Sequence, residues 1–258
     1  MDDEIEGEYV MDLIDILSCD KKLFLEMVKK CNETYRSGHD LSSYLEIIGA
    51  HRRTNNITLL IEDDEFIRTI YETLKLWNMD QQGAILESYE TIKKSIIDCQ
   101  EYLIELYGTQ LNEITSKELS DLKNTLFLLF RDLKIMKSKR RIVGVSKTMH
   151  FLLPDLIMPV DGKYTLRALF GYNKLSKTAT AEFEDMYYIL YKFNNIACKF
   201  ALSSSDCSLS GWNTSVPKLI DNAIIGLANN TDHAIAYLNS IIKDRTESSV
   251  LEMSKSEN

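Results

Sequence analysis

The chain has 258 residues, 45% of them hydrophobic and 27% charged, with a formal net charge of −9. Those proportions exclude wholesale disorder, and the length suffices for one large or two small hydrophobic cores. Three Pro and ten Gly are too few for turn-rich sandwiches or barrels, so the composition predicts an all-α fold.

The first twenty residues hold eight acids and no base; taking those eight from 39 leaves 31 acids against 30 bases in the rest. This acidic end reads either as a solvated segment or as a polyanion mimic competing for a basic groove. It has neither the basic nor the apolar region of a secretory signal. No apolar run reaches the roughly 18–20 residues that cross a bilayer. The five Cys are scattered, and none are spaced as CxxC. Together these features predict a cytoplasmic protein with no membrane association, no cofactor and no metal. His39-Asp40 resembles the metal-binding pair of phosphohydrolases, but its His partners are missing, so Asp40 reads as the cap of a helix starting near Leu41.

Helical periodicity predicts a helix over 84–107 with Ile85, Tyr89, Ile92, Ile96, Cys99, Leu103 and Leu106 on one face. Thr115 and Glu118 form a capping-box pattern. They open an apolar helix over about 117–136 that should be central. Shorter helices are expected near 146–152 and 162–170, separated by Pro154 and Pro159. A long aromatic-rich helix follows over 180–202, and Ser203 to Gly211 reads as a loop. Ser215 and Pro217 start another helix as N-cap and first-turn Pro, and a last one runs over about 232–244. The expected division is an N-terminal helical lobe, 1–112, and a second helical lobe, 113–258.

Between Arg131 and Lys147 stand seven bases and one acid, Asp132. The cluster reads equally as a phosphate-binding surface or as a solvated helix end whose cations suit the C-terminal dipole. Immediately after it, residues 141–171 resemble the core of the helix-hairpin-helix DNA glycosylase superfamily. The resemblance rests on Gly144, Lys147, Asp161-Gly162 and the Leu-containing stretch around Arg167. It implies a helix-hairpin-helix-like element, with Gly144 at the hairpin, Lys147 as amine nucleophile and Asp161 as catalytic carboxylate. By the same resemblance, Lys137, Lys139, Arg140, Arg141, Gly144, Ser146 and Arg167 would contact nucleic acid, with DNA the expected partner. Only one glycine of the usual Gly-x-Gly is present, and Lys147 and Asp161 are closer in sequence than glycosylases lead one to expect. The segment also resembles uncharacterised helical prokaryotic proteins sharing Ser-Lys-x-x-His-Phe-Leu-x-Pro-x-Leu-x-x-Pro-x-Asp.

Each of these residues has a plainer reading. Lys147 reads otherwise as a surface lysine near a helix start, Asp161 as an N-cap, and His150 as a buried structural histidine. Trp212 is either a stacking platform or a loop tryptophan packed on the core, the latter being the commoner fate of large aromatics. The sequence therefore supports a nucleic-acid-binding protein resembling DNA glycosylases. The alternative is a non-catalytic helical protein that serves a protein partner.

Overall fold

The computed structural model describes residues 13–34, 39–80, 84–138, 140–170, 178–208 and 210–241. Among them there is no β-strand, only a bridge pairing Leu86 with Met136, and the fold is all-α. The first five helices are α1 (Leu13–Cys19), α2 (Lys21–Thr34), α3 (His39–Thr54), α4 (Ile57–Glu62) and α5 (Asp64–Leu76). Next come α6 (Tyr89–Asp98), α7 (Gln100–Leu106), α8 (Ser116–Asp121), α9 (Lys123–Asp132) and α10 (Ile142–Leu152). A π-helical turn, Gly162–Leu166, then runs into α11 (Arg167–Phe170), followed by α12 (Ala179–Lys199) and α13 (Val216–Asn229).

Side-chain caps fix several of these starts. Asn56 accepts from the Thr58 and Leu59 amides, Ser88 from Thr91, and Ser215 from Lys218. Thr115 and Glu118 form the expected capping box. Each cap satisfies an amide that has no partner within the helix, worth about 1 kcal/mol.

Two expected helices are shorter than their periodicity suggested. The helix expected from residue 84 begins at Tyr89, because Glu87 donates to the Ile135 carbonyl and Lys137 to that of Ile85. That pairing leaves Ile85 exposed, and it also ends the helix expected to reach 136 at Asp132. Ile92, Ile96, Cys99, Leu103 and Leu106 are buried as expected, although the helix breaks at Cys99. The central helix is α10, not α9. Its residues from Gly144 to Leu152 are all buried, whereas Phe127 and Leu128 of α9 are only partly covered.

Helices α2 and α13 come from opposite ends of the described chain and pack against each other. Gly226 permits the contact, since a Cβ there would lie 2.0 Å from the Met27 carbonyl oxygen. Lys21 adds a bond from its ammonium to the Phe200 carbonyl at 2.8 Å.

Candidate functional site

The site forms where α10, the turn at 162–166, the end of α5 and the start of α13 meet. From α10, Lys147 enters it nearly fully buried. Its Nζ lies 3.8 Å from Asp161 Oδ2 and 5.3 Å from the centre of the Trp77 ring. Burial pushes the ammonium pKa below its ordinary value, and the Asp161 carboxylate opposes that shift. Asp161 also caps its own turn, with Oδ1 accepting from the Lys163 and Tyr164 amides.

Across the cavity, α13 supplies a second ion pair. Lys218 Nζ sits 2.6 Å from Asp221 Oδ2 and donates to Asn222 Oδ1 at 2.8 Å. Its ammonium also lies 5.6 Å from the Trp212 ring centre. Burial pushes the Asp221 carboxyl above the usual carboxylate range, against the pull of Lys218. Asp221 Oδ1 and Trp212 Nε1 are both enclosed and meet no hydrogen-bond partner.

Behind the tryptophans, fully buried Tyr44 stacks on Trp212 (5.7 Å, 18°) and on His150 (5.7 Å, 21°). His150 Nδ1 lies 2.6 Å from the Ile157 carbonyl, which can only accept, so Nδ1 carries the proton. Nε2 therefore accepts from the Tyr44 hydroxyl at 2.9 Å, and Tyr44 accepts from the Thr214 hydroxyl. Thus His150 is structural, and burial pulls its pKa down to about 3. Between its unfolded value of 6.5 and about 3, the unfolded chain binds a proton here that the native protein does not. Stability should therefore fall as pH drops through that window, by up to about 1.4 kcal/mol per pH unit. His150→Gln should flatten the pH dependence of the urea midpoint by about one proton; an unchanged slope would contradict the assignment.

Two adjoining cavities share Trp77, Asn78, Lys147 and Asp161. The smaller one, about 200 Å³, also meets Leu76, Ile225, Trp212 and Asp40, together with the Lys218–Asp221 pair. The larger one, about 600 Å³, runs past Met79, Ala84, Met136 and Val143, with Arg140 and Lys163 on its wall. Ionic charges divide unevenly between them. Lys147 and Lys218 line the smaller cavity with Asp40, Asp161 and Asp221, while Arg140, Lys147 and Lys163 line the larger one with Asp161.

The residues singled out in the sequence are dispersed by the fold. Lys147 and Asp161 share the cavity. Gly144 opens no hairpin; it lies inside α10, where a Cβ would meet Met136 Sδ at 2.4 Å. Ser146 is buried and donates to the Val143 carbonyl while accepting from the Val160 amide. Arg141 turns inward, donating to the Phe130, Arg131 and Leu133 carbonyls and so closing the end of α9. Lys137, Arg140 and Arg167 are exposed, and Lys139 lies outside the described residues. Arg141→Met should cost about 1.5–3 kcal/mol of folding stability by losing charge-assisted bonds to three carbonyls. Exposed Arg140→Met should cost under about 0.5 kcal/mol in the same denaturation assay.

Trp77, Tyr44, Lys218, Asp221 and Asn222 were not foreseen. The one available signal was Lys218 and Asp221, a charged pair three residues apart in an otherwise apolar helix. Among the described residues, no cluster of His, Cys, Asp or Glu is arranged to hold a metal ion.

No protein-family model matches the chain, and no solved structure matches it. One stretch of 61 residues is 34% identical to the intermembrane phospholipid transport system lipoprotein MlaA of Haemophilus influenzae. The match covers 23% of this chain and 23% of that protein, so the chain spans about a quarter of the length of the relative. This finding corrects the expectations of a DNA-glycosylase-like function, of DNA as the partner, of a cytoplasmic setting and of no membrane association. No described helix is long and apolar enough to cross a membrane.

Proposed function

We propose that the chain is a helical binding protein whose cleft holds an amphiphile with an acidic phosphate head. The observation that carries this reading is the larger cavity, where exposed Arg140 and buried Lys147 stand beside a wall of Trp77, Met79, Ala84, Met136 and Val143. An anionic head complements Arg140, and apolar chains cover the wall at about 0.8 kcal/mol per buried CH₂. Phospholipid transport, named for the Haemophilus influenzae relative, supports the same ligand class. The unpartnered polar atoms and apolar walls are features that hold a ligand, and the reading requires no reaction.

The chain has two tryptophans and both line the cleft, so its intrinsic fluorescence reads the site directly. Titration with dihexanoyl phosphatidic acid, kept below its micellar concentration, should give a saturable change in emission. Arg140→Gln with Lys163→Gln should weaken that binding by about tenfold or more, through two lost charge-assisted contacts. A flat titration to millimolar lipid, or an affinity indifferent to both substitutions, would overturn the proposal.

A further inference from the structure

The geometry points to a second binding site, apart from the cleft, for a small zwitterion with an ammonium and a carboxylate on one carbon: a free α-amino acid. The site is a cavity of about 290 Å³ where the end of α3 meets the turn after α7 and the stretch from Leu153 to Asp155. It shares no lining residue with the two cavities of the cleft. Its volume stands near the lower end of small-molecule pockets, which begin at roughly 300 Å³.

The ionic groups on its wall are one cation, Arg52, and one anion, Asp155. His51 adds no charge, because burial lowers its pKa. Burial pushes the Asp155 carboxyl pKa up and the Arg52 guanidinium draws it down, so the two stand within electrostatic reach. Yet among the described residues no ion pair joins either of them to a partner. Opposite charges that line one cavity without pairing fit a ligand that carries both complements. A singly charged ligand would leave one of them unanswered.

Hydrogen-bonding roles follow from His51. Its Nε2 lies 2.7 Å from the Phe151 carbonyl, which can only accept, so Nε2 carries the proton and Nδ1 accepts. The Tyr107 hydroxyl, 3.3 Å from Nδ1, gives its hydrogen to the ring and keeps only lone pairs for a ligand. Burial and the Asp155 carboxylate both raise the Tyr107 pKa, so these two acceptors are neighbours. An ammonium, with three donors and no acceptor, suits that pair. For the carboxylate, Arg52 has one hydrogen bond, to the Thr214 carbonyl at 3.4 Å, and its remaining N–H groups are left for a ligand. The Asp155 carbonyl accepts from the Leu111 amide at 2.9 Å, which ties the acidic side of the cavity to the turn after α7. Leu106, Leu153 and Pro154, all buried, give the wall an apolar part that suits an aliphatic side chain.

The test titrates the whole chain with L-leucine by calorimetry and by thermal shift, beside leucinamide, isocaproate and glycine. L-Leucine should bind saturably. Leucinamide lacks the carboxylate and isocaproate the ammonium, so each should bind about tenfold or more weakly. Glycine, without a side chain to cover the apolar wall, should also bind about tenfold or more weakly. Arg52→Gln should weaken L-leucine and isocaproate and leave leucinamide unchanged; Asp155→Asn should weaken L-leucine and leucinamide and leave isocaproate unchanged. No saturation at millimolar L-leucine by either method would overturn the proposal, as would equal affinity for all four ligands or variants that weaken them all alike. Dihexanoyl phosphatidylserine carries the same ammonium and carboxylate on a lipid. Tighter binding of it than of L-leucine, lost in both variants, would overturn the free amino acid as the source. Should a variant not fold, the ligand order on the wild-type chain decides alone.

Discussion

Replacing Lys218 by Met should cost about 3–5 kcal/mol of folding stability, far more than an ordinary lysine substitution. The reason lies in what remains. Asp221 is 2% exposed, and its only charged hydrogen-bond partner among the described residues is Lys218. Without that ammonium its carboxylate must either stay charged in an apolar helix interface or take up a proton. Burial already raises its pKa, so protonation is the easier escape. The deficit in Lys218→Met should therefore shrink as pH falls, because the proton then replaces the lost lysine at smaller cost. A double variant, Lys218→Met with Asp221→Leu, should recover most of the loss, since a well-packed apolar pair avoids both desolvation penalties. Urea denaturation of the two single variants and the double variant, at pH 5 and pH 8, measures all of this. Equal instability in the single Lys218 variant and the double one would mean that the two charges are not coupled.

Gly226→Ala is expected to destabilise by about 3 kcal/mol, opposite in sign to the usual effect of that change in a helix. Alanine ordinarily stabilises a helix interior by about 0.5–1 kcal/mol over glycine. At Gly226 the added methyl would sit 2.0 Å from the Met27 carbonyl oxygen and 2.7 Å from its carbon. Those are backbone atoms of α2 and cannot rotate away, so α13 and α2 must separate. Gly49→Ala is the control, because the nearest atom there, at 3.0 Å, belongs to the flexible end of Arg53. It should be neutral or slightly stabilising. A thermal melt of each variant separates the two cases, and a Gly226→Ala protein melting like wild type would refute the close contact.

Local signals located most of the helices. The Thr115–Glu118 capping box and the Ser215–Pro217 start appear where their chemistry placed them, because capping depends on neighbours in sequence. Boundaries failed where a distant segment intervened: residues 85–87 pair with 135–137, and no periodicity within 84–107 foretells that. Arg141 looked like part of a basic surface because charge counts carry no direction, and its guanidinium turned inward to close α9. Lys147 and Asp161 were conspicuous in one short stretch. The cavity they share takes Trp77 from the end of α5 and Lys218 with Asp221 from α13, and sequence order gives no reason to join these. The glycosylase likeness concerned 31 residues, of which Lys147 and Asp161 meet in the cavity while Gly144 opens no hairpin.

The clasp between α2 and α13 has a consequence for how the chain is made. Synthesis proceeds at roughly 5–20 residues per second, so α2 leaves the ribosome on the order of ten to forty seconds before α13 exists to cover it. Throughout that interval Leu23, Phe24, Met27 and Val28, all buried in the finished protein, have no permanent cover. The N-terminal helices must wait on the ribosome with an apolar stripe exposed, within reach of a chaperone or of a neighbouring nascent chain. Truncation ahead of residue 216 should therefore leave an aggregation-prone fragment, not a smaller folded protein.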